Sequence, residues 1–373
     1  MIKKSLLLKI YEAASMQRWN DQIRTIELTE LDKQAHKMIV AYILGKCEED
    51  INDGKVNWLE IIECGLFEFL KRIVLTDLKP PLIYRIKENK KQYEKLNRWA
   101  FERISPLTEQ IGGSFNLRLK KYLLEEKETL ERKIVNGAHF YVTKWEFDII
   151  KSANPRGYLI KEIVGNISRE QREYNDLKCM KVFMEKRKLL IFAGICGQLR
   201  FQQRWSHLYR IPKTSVLGHM LIVAMFSLLF SYTARLDREN CINNYFTGLF
   251  HDLPEVLTRD IINPVKKSVE GLDELIKDYE VEEMEKKIYK LIPESWQKDI
   301  RMFTEDEFSD TSNRNGKLVK AADDLAAFIE AYLALKNGIK NKDLVYAKSK
   351  LNRKYKSRTI EGINFGEVFA EFD

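Results

Sequence analysis

The sequence has few residues that interrupt helices. Only 17 glycines and 8 prolines occur in 373 residues, while leucine, isoleucine, lysine and glutamate are abundant. Because glycine and proline are the residues least compatible with a helix interior, their scarcity excludes a collagen-like or loop-rich chain and favours helices with short connections. The composition therefore predicts an all-α fold, and the length predicts two domains.

Cysteine is also scarce, and its spacing is uninformative. The five cysteines are Cys47, Cys64, Cys179, Cys196 and Cys241, and no two of them form a CxxC pair. An odd number without that spacing argues against a disulfide framework and a zinc finger. We expect buried thiols in a reducing compartment, and hence a cytoplasmic protein.

No apolar run is long enough for a convincing membrane span. The most apolar stretch, VLGHMLIVAMFSLLFSY, has about 17 residues and contains a histidine, whereas a bilayer requires roughly 20 apolar residues. It predicts a buried core helix at 216–232. The N-terminal MIKKSLLLKIYEAAS lacks the length and cleavage pattern of a secretory signal. We therefore expect no membrane association.

Charge of one sign is not concentrated in any segment. The net charge of +8 is spread over mixed stretches such as KENKKQYEKLNR and VEEMEKKIYK, as on solvated helix faces. It would assist binding of phosphorylated ligands. No nucleic-acid motif or dense basic and aromatic patch is present, so the sequence predicts no direct nucleic-acid partner.

The chain does contain an internal repeat. Four features recur in the same order: QRW at Gln17 and Gln203, HKMIVAYIL at His36 beside HMLIVAMFS at His219, GLFEFLKRIVLTDLKPPLI at Gly65 beside GLFHDLPEVLTRDIINPVK at Gly248, and KIVNGAHFYV at Lys133 beside KLVKAADDLA at Lys317. Their separations are nearly equal, which favours a duplicated domain over chance. We predict helical domains at 1–165 and 191–373, joined by a connecting helix at 166–190.

The second half groups residues that suit a metal. His219 lies in the apolar helix, His251 and Asp252 follow an apolar helix predicted at 242–252, and Asp323 lies in an Ala-rich helix predicted at 317–336. A carboxylate on an otherwise buried helix requires a partner, and imidazole with carboxylate ligands suits Mn, Fe, Co, Ni or Zn. Taken singly, His219 could instead be a hydrogen-bonded core residue, and Asp323 could pair with Lys320.

These residues resemble the pattern of the HD superfamily of metal-dependent phosphohydrolases: a His, an adjacent His-Asp and a distant Asp. Within it, the sequence is similar to bacterial HD-domain 5′-deoxynucleotidases, which remove phosphate from deoxyribonucleoside monophosphates. The resemblance covers most of residues 200–340. It rests on RW at Arg204, His219, HDLPEVLTRDIINPVK at His251, DEFSD at Asp306 and LVKAADDLAAFIEA at Leu318.

The resemblance implies specific roles. His219, His251, Asp252 and Asp323 would hold one divalent ion, and Asp252 would also belong to the catalytic set. The other implied roles are catalytic acid for Glu255, phosphate contact for Arg204, sugar recognition for Trp205 and Asp260, and pocket lining for Lys266. The first His block departs from the family, with GHM in place of EHS. That departure bears on substrate choice more than on metal binding.

Elementary chemistry agrees with these roles and leaves alternatives. Glu255 follows His251 by four residues, so a continued helix or a tight turn would bring its carboxylate to the metal, where it could move a proton. Arg204 could clamp a phosphate with two hydrogen bonds. The alternatives are a surface carboxylate for Glu255, a structural ion pair for Arg204 and core packing for Trp205.

The first half lacks this chemistry in the same register. Arg18, Trp19 and His36 are retained, but the other corresponding positions differ: Glu68 and Phe69 replace His-Asp, Arg72 replaces Glu255, and His139 replaces Asp323. Phenylalanine cannot ligate a metal, and arginine stays protonated. We predict an inactive half, with an altered metal site of His36, Glu68 and His139 as the alternative.

The leading functional prediction is a metal-dependent phosphomonoesterase acting on nucleoside 5′-monophosphates, with a small-molecule nucleotide as its partner. Two alternatives remain: an HD hydrolase of nucleoside triphosphates, cyclic or signalling nucleotides, and a non-catalytic nucleotide-sensing or interaction module. Two tandem HD-domain bundles are compatible with a homo-oligomer or with an intrachain pseudo-dimer.

Overall fold

A computed structural model describes the chain except for Met1, Asp53, Gly54, Gly113, Glu126, Asn175 and residues 262–268. Within the described residues, the regular structure is helical apart from one two-stranded hairpin. The predicted all-α fold is confirmed.

Ten α-helices lie between residues 4 and 198 in the described part of the chain. They are α1 (Lys4–Tyr11), α2 (Glu30–Asn52), α3 (Trp58–Leu75), α4 (Pro80–Glu88), α5 (Lys90–Thr108), α6 (Phe115–Leu124), α7 (Leu130–Ala153), α8 (Ile160–Glu173), α9 (Lys178–Glu185) and α10 (Arg187–Gln198).

Eight more helices and the hairpin follow among the described residues. They are α11 (Val216–Thr233), α12 (Arg238–Phe250), α13 (Glu255–Thr258), α14 (Leu272–Glu283), α15 (Glu294–Thr304), α16 (Gly316–Lys336), α17 (Lys342–Tyr355), β1 (Thr359–Ile360), β2 (Ile363–Asn364) and α18 (Phe365–Ala370). The hairpin has Gly362 at φ +74°, in the left-handed region that glycine adopts readily. No pattern in the sequence predicted this hairpin.

Helix α11 is a core helix, as its sequence predicts. It is long and apolar enough to cross a membrane by length and composition, yet 89% of it is buried inside the protein. The Ser215 side chain caps its N-terminus by accepting a hydrogen bond from the backbone N–H of Gly218 at 2.9 Å. This cap fixes where the helix begins, and therefore where its first turn, which contains His219, is placed.

The two halves of the chain share one hydrophobic core. Helices α2 and α11 pack against each other at its centre, and a Cβ on Gly218 would lie 2.9 Å from Leu31. Tyr42 of α2 also packs against Phe246 of α12, with ring centroids 5.0 Å apart. Side chains of each half complete the core of the other. The two halves that the sequence separates at residues 165–191 are therefore packed together without a gap.

The segment predicted as one connecting helix at 166–190 is wrong in its detail. It contains the end of α8, all of α9 and the start of α10, with extended backbone at Leu177 and Lys186. Helix α9 packs on α2 and buries Cys179, Met180 and Phe183. The segment is thus part of the N-terminal core as well as a connection.

Helices α11 and α12 approach closely at Gly248. A Cβ there would lie 2.7 Å from the backbone nitrogen of Ala224, which is closer than real Cβ contacts allow. At the related Gly65, the added atom would instead meet the flexible side chain of Met38. Gly248 is therefore required for the contact that brings the end of α12 beside α11.

All five cysteines are buried and free, as predicted. Burial raises the pKa of every one of these thiols, to about 12 for Cys47 and Cys241. They therefore behave as small apolar core residues.

Candidate metal and phosphate site

Three elements bring the four predicted metal ligands together. His219 lies in the first turn of α11, His251 and Asp252 form the turn that follows α12, and Asp323 lies on α16. Both histidines are buried, while the side chains of Asp252 and Asp323 are 18% and 14% exposed. The carboxylates therefore face an opening, and the imidazoles line its floor.

The ligand atoms of three of these residues cluster together, and Asp323 adjoins the cluster through His219. His219 Nε2 lies 3.0 Å from Asp323 Oδ1 and 3.8 Å from Asp252 Oδ2, and His251 Nε2 lies 3.2 Å from Asp252 Oδ2. One ligand atom from each of His219, His251 and Asp252 lies within 4.8 Å of the others. Two nitrogens and two oxygens at these distances form a donor set that a transition metal prefers.

The hydrogen bonding of His251 fits a metal ligand. Its Nδ1 lies 2.9 Å from the carbonyl oxygen of Gly248, which favours the tautomer with the proton on Nδ1. Its Nε2 is buried and lies 3.2 Å from Asp252 Oδ2, without a well-aligned hydrogen bond in the described part of the chain. A divalent ion would satisfy this nitrogen.

Charge in the site favours cations. Burial opposes ionisation of Asp252, but His251 and Arg204 outweigh it and hold the pKa of that carboxyl well below its usual range. Burial likewise lowers the pKa of His251, but the Asp252 carboxylate reverses the shift and raises the pKa to about 9. The imidazole thus takes up a proton next to these carboxylates, and metal binding would release it.

The ion pair that the sequence suggested for Asp323 is also present. Its Oδ2 lies 2.6 Å from Lys320 Nζ, while its Oδ1 faces His219. One oxygen of the Asp323 carboxylate therefore pairs with Lys320 while the other faces the metal ligands. The ion pair with Lys320 does not exclude Asp323 as a metal ligand.

Arg204 borders the same opening. Its Nη1 lies 3.3 Å from Asp252 Oδ2, and its Nε lies 3.5 Å from Glu330 Oε2. Trp205, at φ +56°, directs its indole Nε1–H to Glu330 Oε2 at 2.8 Å. A guanidinium held by a buried carboxylate beside the metal ligands is well placed to contact a phosphate.

Glu330 is a residue of the site that the sequence analysis missed. It is 1% exposed and accepts hydrogen bonds from Trp205 and from Thr214 Oγ1, the latter at 2.6 Å. Arg210 and Arg204 overcome its burial and lower its pKa to about 2, so it remains charged. Its seven-residue spacing from Asp323, two helical turns on the same face of α16, was the available signal.

Of the three remaining predicted site residues, the structure describes Glu255 and Asp260. The helix does not continue from His251. Instead, a tight turn leads to Glu255, which is the first residue of α13 and is 8% exposed. Asp260 is half-buried after α13, and its charge helps to raise the pKa of Arg204. Lys266 lies outside the described residues.

In the first half, the structural register differs from the predicted one. Gln17 bridges Thr29 just before α2, and Gln203 bridges Ser215 just before α11. Counting four residues from Thr29 and from Ser215 pairs His219 with Lys33, so its assignment to His36 was wrong by one helical turn. The ring nitrogens of His36 instead face the carbonyl oxygen of Ala193 at 2.9 Å and Arg200 Nη2 at 3.0 Å.

Comparison with known proteins agrees with this geometry. Residues 196–364 match the HD domain family. The chain is 27% identical to a 5′-deoxynucleotidase of Pectobacterium atrosepticum over 43% of this chain and 80% of that protein. It is 28% identical to one of Vibrio vulnificus over 43% and 82%, and 29% identical to one of Escherichia coli over 48% and 89%.

Residues 196–364 therefore match an HD domain, and the chain is similar to 5′-deoxynucleotidases over its C-terminal half. HD domains are metal-dependent, and the cluster of His219, His251 and Asp252 could bind such a metal.

Proposed function

We propose that this protein is a metal-dependent phosphomonoesterase that releases phosphate from nucleoside 5′-monophosphates, deoxyribonucleotides included. The observation that carries the proposal is the cluster of His219, His251 and Asp252. Asp323 lies beside His219, and the guanidinium of Arg204 lies beside Asp252. The similarity to 5′-deoxynucleotidases supports the choice of nucleotides as substrates.

The four ligands would hold one divalent ion, with Mn, Co, Fe, Ni or Zn suited to the mixed nitrogen and oxygen donors. When bound, such an ion supplies Lewis acidity toward a phosphoryl oxygen and makes water a better nucleophile. Asp252 has a second role, because its Oδ2 lies within 4 Å of both histidines and of Arg204. It couples the metal ligands to the phosphate-binding group.

Arg204 would bind the phosphate of the substrate. Its guanidinium carries five N–H donors, and the contacts with Asp252 and Glu330 engage only two of its three nitrogens. The remaining donors can form charge-assisted hydrogen bonds to phosphate oxygens. Glu330 fixes the orientation of this group before the substrate arrives, which reduces the entropy lost on binding.

Glu255 would move the proton. Phosphate release from a monoester requires a proton on the leaving 5′ oxygen and the loss of one from the attacking water. The turn after α12 places Glu255 three residues from Asp252, with its backbone N–H donating to the Asp252 carbonyl oxygen at 3.1 Å. The charge of Glu255 also helps to raise the pKa of Arg204, which supports a carboxylate near the phosphate-binding group.

Trp205 and Asp260 would contact the nucleoside. The indole N–H of Trp205 is already used by Glu330, so its ring face is the part left for a sugar or base. Asp260, half-buried beyond α13, offers carboxylate oxygens that can accept hydrogen bonds from sugar hydroxyls. The test below compares ribonucleotides with deoxyribonucleotides and thus measures how strongly the site distinguishes substrates with and without a 2′-hydroxyl.

The test is phosphate release from a panel of ribonucleoside and deoxyribonucleoside 5′-monophosphates by protein loaded with Mn²⁺ or Co²⁺. We expect Asp252→Asn to lower kcat/KM by more than about 100-fold and to reduce bound metal, because it removes a charged ligand. The matched control is Asp299→Asn, whose 40% exposed carboxylate pairs with Lys46, and it should leave both values unchanged.

Full activity of Asp252→Asn would refute the proposed site. Release of tripolyphosphate from nucleoside triphosphates, without activity on monophosphates, would replace the phosphomonoesterase by a triphosphohydrolase. Lack of any bound metal after reconstitution would favour a non-catalytic nucleotide-binding module.

A further inference from the structure

The N-terminal half preserves the framework that surrounds the C-terminal site. Arg18 Nε donates to Glu146 Oε2 at 2.8 Å, and Trp19 Nε1 donates to the same oxygen at 3.0 Å. Trp19, at φ +54°, also shares the left-handed backbone of Trp205. Glu146 therefore holds an arginine and a tryptophan in the way that Glu330 does.

At the centre of this framework, an ammonium group takes the place of metal ligands. Lys33, which the structure pairs with His219, is fully buried, and its Nζ lies 2.9 Å from His139 Nε2. His139 lies seven residues before Glu146, as Asp323 lies seven residues before Glu330. Burial, together with Lys33, Lys37 and the arginines nearby, lowers the pKa of His139 well below its usual value, so this imidazole is neutral.

Lys33 lacks the carboxylate partner that the other cations of this site have. In the described residues, the ion pairs here are Arg18 with Glu30 and Glu146, Arg72 with Glu30 and Asp77, and Lys37 with Glu68. Lys33 has no ion pair among them, and Arg200 adds a further cation 2.9 Å from Glu146. Burial, then repulsion from Arg18, lowers the pKa of Lys33 well below its usual value. Lys33 is thus a buried amine without a carboxylate partner in the described residues, and an anion bound beside it would favour its protonated form.

The edge of this site is partly exposed. The side chains of Glu68 and Arg72 are 25% and 21% exposed, and that of Arg18 is 14% exposed, whereas Lys33 and Lys37 lie at the bottom with none of their surface accessible. An anion that displaces the partly exposed Glu68 carboxylate from Lys37 would therefore meet the two lysines from this edge.

We propose that the N-terminal half is a metal-independent binding site for a phosphate group, in which Lys33, Lys37 and Arg72 supply the charge that the metal and Arg204 supply in the other half. The chemical class is a phosphate monoester dianion or inorganic phosphate. Without metal ligands or an acidic group at the position of Arg72, the site binds this ligand and does not hydrolyse it. The proposal is independent of whether the C-terminal site hydrolyses nucleotides.

The test is calorimetric titration of inorganic phosphate, and separately of a deoxynucleoside 5′-monophosphate, into metal-free full-length protein carrying Arg204→Gln. That substitution removes the phosphate-contacting group of the C-terminal site. We expect binding of both probes, and a dissociation constant at least about tenfold higher when Lys33→Met is added, because a charged hydrogen-bond donor is lost. Lys46→Met, which removes a partly exposed ammonium of α2, is the matched control and should leave binding unchanged.

A second variant keeps the test decisive if Lys33→Met does not fold. Glu68→Gln removes a negative charge at the exposed edge of the site, and we expect it to tighten phosphate binding. Absence of phosphate binding in the Arg204→Gln protein, equal affinity with and without Lys33, or weaker binding in Glu68→Gln would each overturn the proposal. If any of these results occurred and the wild-type protein still hydrolysed nucleotides, only the phosphate-binding proposal would be refuted, and the proposed function would be unaffected.

Discussion

Glu330 connects groups that the sequence pattern treats separately. It accepts hydrogen bonds from Trp205 and Thr214, faces Arg204 Nε at 3.5 Å, and lies 3.8 Å from His219 Nδ1. Loss of any of these hydrogen bonds or ion pairs would leave a buried carboxylate partly unpaired, which is costly. Glu330 therefore holds all of these partners in place together. Glu330 is thus a positioning residue for the phosphate-binding and nucleoside-binding groups.

We predict that Glu330→Gln raises KM for a nucleoside monophosphate by about tenfold while kcat changes less, because Arg204 loses its ionic anchor and binds phosphate in a less fixed geometry. Bound metal should stay the same. Steady-state kinetics and metal analysis check this, with Glu48→Gln as a control at a buried glutamate of α2 that bonds to Asn52. An unchanged KM would show that Glu330 serves the fold alone.

The same variant has a predicted effect on acid stability. Since the folded-state pKa of Glu330, about 2, lies below its ordinary 4.5, its charge stabilises the fold above about pH 4.5 and this contribution is lost as the pH falls toward 2. Between about pH 5 and 3, the wild-type protein should lose roughly 2 kcal/mol more than Glu330→Gln. Urea unfolding at each pH measures the difference, and parallel curves would contradict it.

The candidate ligands could be predicted from sequence, whereas their register in the first half could not. A His, an adjacent His-Asp pair and a distant Asp on apolar helices resemble the HD-superfamily pattern, so His219, His251, Asp252 and Asp323 were proposed together. A slip of three residues along α2 changes the helix face by less than a fifth of a turn, so the apolar pattern fits His36 almost as well as Lys33. Only the bridge of Gln17 to Thr29 fixes the register.

At the level of elements, the contact between α11 and α12 depends on Gly248. This contact positions the turn that contains His251 and Asp252 opposite His219. The bounds of α11 were close to the prediction because this helix is strongly apolar, and the Ala-rich α16 also begins and ends within one residue of its predicted bounds. The breaks around α9 were not predicted, since neither glycine nor proline marks them and the packing of Phe183 and its neighbours decides where the chain bends.

We predict that Gly248→Ala lowers the free energy of unfolding by about 1–3 kcal/mol, because the new methyl group would meet the backbone of Ala224 and force the two helices apart. Gly65→Ala should have a smaller effect, since the side chain of Met38 can move. Urea denaturation provides the measurement.

Gly194→Ala is the matched control for this series. Gly194 lies inside α10 with nothing within 4 Å of an added Cβ, so the substitution should stabilise by about 1 kcal/mol through helix propensity. Equal effects at Gly194 and Gly248 would show that propensity, and not the close contact, governs both.

At the scale of the whole molecule, the halves are joined by polar contacts as well as by the core. Arg200 Nη1 pairs with Glu146 Oε1 at 2.9 Å with both side chains fully buried, and Tyr11 donates from its hydroxyl to the carbonyl oxygen of Ala326 at 2.8 Å. Separating the halves would leave these groups unpaired, at several kcal/mol for the ion pair alone. The repeat in the sequence suggested two bundles, but it contained no information on how much surface they share.

We predict a single cooperative urea transition for the full chain, with far-UV and near-UV circular dichroism coincident. Residues 191–373 expressed alone should bind a hydrophobic dye and lack a sharp transition, because α11 loses the cover that α2 provides. Two separate transitions in the full chain, or cooperative unfolding of the fragment, would show that the second half is self-sufficient.

The buried cysteines make local opening of this molecule measurable without any introduced label. Thiolates react with alkylating reagents, and burial both shields these five sulfurs and raises the pKa of their thiols. Alkylation of the native protein therefore requires transient exposure. Mass-spectrometric labelling rates at Cys47 and Cys64 would report local opening around α2 and α3. The rate at Cys241 would report local opening around α12, so one experiment compares the opening rates of the two halves.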